Sequence, residues 1–113
     1  MPATTGNAVI ASGGTTSNAV DLGVSTYPDG GLVGFVMPAT FTGASVSFLV
    51  SVDDSAYQAL NDSSNAAVSV TVTQAKTYGF KADVRSVLAP FRFIKFVSAS
   101  SEGGARTIIP IVK

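Results

Sequence analysis

Apolar residues, nearly all valine, recur at every second position over two stretches of this chain. Val68, Val70 and Val72 alternate with Ser69, Thr71 and Thr73, and Val46, Phe48, Val50 and Val52 alternate with Ser45, Ser47 and Ser51, with Leu49 as the exception. A period of two sets the branched side chains on one face of an extended backbone, the pattern of a half-buried strand. Composition points the same way: 15 Val, 5 Ile and 11 Thr stand against 5 Leu and a single Glu. Side chains stiff at χ1 pack well on a pleated surface and poorly in a helix. The chain is built for sheets.

The rest of the chain supplies further short strands between turns. Asn18–Gly23, Leu32–Met37, Ala56–Leu60, Tyr78–Ala82, Phe91–Val97 and Ala105–Val112 are the other candidates. Tyr27–Gly31 (Tyr-Pro-Asp-Gly-Gly), Asp53–Ser55, Asn61–Asn65 and Glu102–Gly104 carry the turn residues that preset φ or bond their own backbone. Asp83–Leu88 is expected to make one helical turn before Pro90 ends it. Phe91–Val97 and the closing Ile108, Ile109 and Ile111 put bulk on both faces, so these strands should be covered on each side. About eight short antiparallel strands in 113 residues predict one all-β domain, a β-sandwich of jelly-roll type. Residues 18–113 form that domain in this reading. Residues 1–17, small and uncharged, form an extended N-terminal arm that adds little to the fold and orders, if at all, against a neighbour through Val9 and Ile10.

Much chemistry is set aside by composition. The chain has no Cys and no His, which removes thiol nucleophiles, imidazole bases and the usual zinc and copper ligands. No enzyme activity and no cofactor is expected. No run approaches about 18 apolar residues, and no basic and apolar leader opens the chain, so neither a membrane span nor a secretory signal is expected. Charged residues are 12% of the chain and the formal net charge is zero, which gives a free monomer little colloidal protection. Residues 1–75 nevertheless carry five Asp and no Lys or Arg, while the seven Lys and Arg all follow. In a sandwich the two halves interleave, so this separation can cancel in space.

Two sets of residues are candidate sites. Asp53, Asp54 and Asp62, with Tyr57 and Asn61, are the one carboxylate-rich region. Hard oxygen ligands could serve Ca²⁺, and Tyr57 or Tyr27 beside them could stack on a sugar; the plainer account is turn chemistry, since Asp bonds nearby N–H groups. Arg85, Arg92 and Lys95 interleave with Tyr78, Phe80, Phe91 and Phe93, as in single-strand binders. With no basic surplus to release counterions, nucleic acid is not an expected partner. The second set is apolar: Val9, Ile10, Phe91, Phe93, Ile108, Ile109 and Ile111 are the expected contact residues for other subunits.

The stretch VMPATFTGASVSFLVSVDDSAYQALND resembles small β-sandwich proteins carried on tailed-bacteriophage virions. Pro38, Ala39, Phe41, Thr42, Ser51, Asp53, Tyr57, Leu60 and Asp62 follow their pattern, and FRFIKFVS (Phe91–Ser98) is similar to their next Arg-aromatic-aliphatic-basic strand. The likeness covers about residues 20–113. The same skeleton resembles discoidin-like sugar-binding sandwiches, but this chain has Asp54 where those have Gly and Tyr57 where many have Trp. The resemblance implies a capsid cement, decoration or head-fibre-base protein on the capsid exterior, trimeric, in contact with the major capsid protein or other virion subunits, and without enzymatic activity. The alternative it leaves is a carbohydrate-binding or adhesion module of a head or tail fibre that takes a surface glycan.

Overall fold

A computed structural model describes residues 6–22, 32–81, 84, 87–88 and 91–112. The expected Tyr27–Gly31 turn, with Tyr27 as a ring platform, lies outside the described residues, as do Asp83, Arg85, Ser86 and Pro90. Val84, Val87 and Leu88, inside the expected helical turn, have helical backbone.

Nine strands are present among the described residues: β1 (Ala8–Ile10), β2 (Val20–Asp21), β3 (Leu32–Val36), β4 (Ser45–Ser51), β5 (Gln58–Ala59), β6 (Ser69–Thr71), β7 (Thr77–Gly79), β8 (Phe93–Ser98) and β9 (Arg106–Val112). They form two antiparallel sheets, ordered β1-β9-β3-β7 and β2-β8-β4-β5, with β6 also paired to β4. Early strands pair with late ones in nested fashion: β1 with β9, β2 with β8, β3 with β7, and β4 with β5 and β6. A chain doubled on itself and rolled so that its pairs alternate between two sheets is a jelly roll. The eight expected strands are all there, most with trimmed ends, while β7 starts one residue earlier and β8 ends one residue later than expected. The ninth is β1.

The core lies between the sheets. Phe35 on β3 meets Phe96 on β8 edge-on, ring centroids 5.6 Å apart, and Phe96 meets Phe48 on β4 at 5.5 Å. Such tilted aromatic pairs add about 0.5–1.5 kcal/mol beyond their burial. Along β8 the alternation is regular, with Ile94 and Phe96 fully buried and Phe93, Lys95 and Val97 half-buried on the outer side.

Two expectations about residues are corrected here. Residues 8–17 are not an arm outside the sandwich but part of it. Ala8 and Ile10 on β1 are completely buried, and Ser17 N–H and the Ser17 hydroxyl oxygen both bond the Phe96 backbone at 2.9 Å. Ile10 and Ile108 are therefore core residues of their own chain and are not free to touch another subunit; antiparallel register sets Ala8 beside Ile108 on the inner face.

Candidate functional site

Turn chemistry accounts for the carboxylates of the β4–β5 hairpin. The Asp53 carboxylate accepts the N–H groups of Ser55 at 2.9 Å and Ala56 at 3.2 Å and the Ser51 hydroxyl at 2.9 Å. The Ser55 N–H, then the Ser51 hydroxyl and the Ala56 N–H, hold its pKa below the usual 3.8. Asp54 takes a left-handed φ of 60°, a conformation Asp tolerates better than most side chains. The Tyr57 hydroxyl donates to the Asp54 carboxylate. Burial, then that bond and the charge behind it, push the phenol well above its ordinary range. In the next loop Asp62 accepts from Ser64 N–H at 2.8 Å and Ala66 N–H at 3.0 Å, and Asn61 donates to Asn65 at 3.0 Å. Among the described residues no three acidic, His or Cys groups converge as metal ligands would. Millimolar Ca²⁺ should accordingly leave the thermal midpoint unchanged, whereas Asp53→Ala should lower it. A calcium-dependent rise in a melting curve would overturn that assignment.

The ring of Tyr57 does not stand open. Lys95 Nζ lies over it, 4.4 Å from the centroid. A neighbouring groove of about 500 Å³ is lined by Val50, Val52, Asp53, Gln58, Asn61 and Phe91, among others, and Tyr57 is not part of its wall. The geometry thus brings Asp53 and Asn61 together with Phe91, and leaves Tyr57 on another surface.

The apolar candidates divide between inside and outside. Phe91 packs against the core, and Phe93 lies on the outer face of the second sheet under the Arg92 guanidinium, 5.1 Å from its ring. Arg92 is bound to Asp21 by two hydrogen bonds of 2.8 and 3.0 Å, so here the acidic and basic halves of the sequence do interleave. Val9, Ile109 and Ile111 are different. They point outward from the first sheet and are 40%, 45% and 37% exposed. Register places Val36 and Thr77 level with Ile109, and Gly34 and Gly79 level with Ile111. No charged side chain stands in these rows. A sheet face open to water is ordinarily polar; this one is not.

Glu102 opens the expected Glu102–Gly104 turn, and the structure gives it a second role. It is 1% exposed. Its carboxylate accepts the N–H groups of Thr42 at 2.8 Å and Gly43 at 3.0 Å, the Ser98 hydroxyl at 2.8 Å and Arg106 Nε at 3.0 Å. Its backbone N–H donates to the Gly14 carbonyl and its own carbonyl accepts the Gly13 N–H. One side chain thus ties the β3–β4 loop and the ends of β8 and β9 at one end of the sandwich, and its backbone adds the β1–β2 loop. All four of its bonding capacities are spent on the fold, so it serves as a latch.

Compared with protein-family models, curated proteins and solved structures, the chain finds no match in any of the three.

Proposed function

We propose that the chain is a structural subunit of a virion, a cement or decoration protein that binds the assembled phage head and stabilises it. The observation that carries this reading is the outer face of the first sheet, where Val9, Ile109 and Ile111 stand in the open and the described rows hold no charged side chain. An exposed apolar surface of this kind marks a contact site. A subunit of this type acts by mass action, because it binds the assembled shell and not its free parts. Jelly rolls serve in capsids and in lectins alike, so the fold does not choose between them. The sequence likeness favours the virion, and the Lys95 amine over Tyr57 covers one of the two rings, Tyr57 and Tyr27, on which a glycan could stack.

The test is to purify particles from cells in which the encoding genome replicates, and to locate the chain by mass spectrometry and electron microscopy. Its presence on the shell exterior is expected; its absence from purified particles would overturn the reading. Attachment should resist salt. Exposed ion pairs contribute about 0–1 kcal/mol each and are screened over ~10 Å at 0.1 M salt, whereas apolar contacts are untouched by modest salt. Several-fold higher ionic strength should leave most copies bound, and Arg92→Ala or Lys95→Ala should weaken binding only slightly. Ile109→Asp should release the protein. Stripping by salt alone would instead assign attachment to charge.

A further inference from the structure

Among the described residues nothing requires Gly79 to be glycine. Its φ is not positive, and a Cβ built there would meet nothing within 4 Å. The contrast with Gly34, its partner on β3, is sharp: a Cβ on Gly34 would lie 2.3 Å from the Tyr78 carbonyl oxygen, so the closeness of β3 and β7 dictates that residue. Glycine inside a strand weakens it and marks places where another group comes close. At Gly79 nothing in the described chain does.

The surroundings of Gly79 show what fits. Across the sheet the row runs Ile111, Gly34, Gly79, and the next row runs Ile109, Val36, Thr77. Each row is bulky at β9 and small at β7, with β3 between them. A two-fold axis along β3 exchanges β9 with β7. It therefore sets the large end of each row over the small end of the same row in a second molecule. We propose that this face pairs with the same face of a second copy, Ile111 of each chain seated over Gly79 of the other, Ile109 over Thr77, and Val36 against Val36.

Charge and symmetry agree with that occupant. Among the described residues these two rows carry no charged side chain to match a charged partner, and a chain of zero net charge does not repel its own copies. Sheets pack face to face at ~10 Å with strands inclined by about 30°, their side chains interdigitating. A surface that is its own complement closes around a two-fold and stops, whereas the trimer implied by the sequence likeness needs two different surfaces to meet. Strand spacing of ~4.8 Å and rise of ~3.4 Å give a face roughly 15 by 20 Å. That is well below the ~800 Å² per partner of a standard interface, so pairing is weak in free solution and gives the face up to the shell on attachment. The inference rests on the reading of the chain as an assembly subunit.

The test is sedimentation equilibrium of the full chain from micromolar to millimolar concentration, with thermal melts alongside. A monomer–dimer equilibrium is expected. Gly79→Val should raise the dissociation constant about tenfold or more, because it fills the recess that receives an isoleucine. The same change should keep or raise the melting temperature, since a branched residue suits an open strand position. Ile111→Asp should abolish pairing. A monomer at millimolar concentration, a trimer, or a dimer indifferent to Gly79→Val would each overturn the proposal. A monomeric chain that is found on particles sinks the pairing and leaves the virion reading intact; a two-fold dimer absent from particles does the reverse.

Discussion

Removing residues 1–17 should abolish cooperative folding. The segment looks dispensable by composition, but it supplies β1 and the strand-like return to β2. Ile10 is fully buried, and Ile→Ala at such a site costs about 2–5 kcal/mol. Deletion also strips the β1–β9 pairing, the two Ser17 bonds to Phe96, and the 2.7 Å bonds from Ser98 N–H to the Thr15 carbonyl and from Gly13 N–H to the Glu102 carbonyl. It leaves β9 as a bare edge with Ile108 uncovered, an invitation to stray strand pairing. Small domains hold roughly 5–15 kcal/mol in total, so the sum of these losses exceeds what a chain of this size can spare. Circular dichroism should show no cooperative melt for the truncated chain, and Ile10→Ala in the full chain should lower stability by about 2–5 kcal/mol. A truncated protein that melts cooperatively within a few degrees of the full chain would show that β1 is a passenger.

Why β1 escapes a reading of the sequence is plain from its neighbours. Ala8-Val9-Ile10 is too short to display a period, it is set among Gly, Ser and Thr, and its pairing partner lies at the other end of the chain. The strands that can be read, β4 and β6 above all, carry their alternation over enough residues for local sterics to fix it. On β9, Ile108 and Ile109 are chemically alike, and only the register with β1 and β3 decides which is core and which is surface. The same limit hides the outer face: Val36, Thr77 and Ile109 come from three separate segments that only the sheet brings level, and Val9, from a fourth, is set opposite Thr107. Turn carboxylates are legible because Asp53 and Asp62 bond residues two to four places away. Glu102 is not, since the N–H groups it holds belong to Thr42 and Gly43, some 60 residues earlier. Its being the single Glu of the chain, next to Gly103 and Gly104, was the one available hint.

Glu102→Gln should cost about 3–5 kcal/mol at neutral pH, the loss typical of one member of a buried, hydrogen-bonded ion pair. An amide of the same shape keeps one acceptor oxygen and turns its NH₂ toward groups that are themselves donors: the Thr42 or Gly43 N–H, the Ser98 hydroxyl or Arg106. The pH dependence follows from the same contacts. Burial pushes the carboxyl up, but the Thr42 N–H, the Ser98 hydroxyl, Arg106 and the Gly43 N–H together outweigh it and hold the pKa below the ordinary 4.5. A carboxyl lowered in the folded state contributes stability that is complete above its ordinary value and disappears as pH falls through the folded one. The wild-type chain should therefore hold its stability from neutral pH down to about 5 and lose it progressively below about 4.5. The exposed Asp53 carboxylate, also lowered, titrates in the same window, so the difference between wild type and Glu102→Gln is the quantity to measure. Urea denaturation across that range should show the two curves converging as pH falls, because acid does to the native carboxylate what the substitution has already done. Adding Arg106→Met to Glu102→Gln should restore part of the loss by removing the unmatched guanidinium, which keeps 16% of its side chain exposed. Curves that stay parallel down to acid pH would mean that Glu102 fills space without serving as a charged latch.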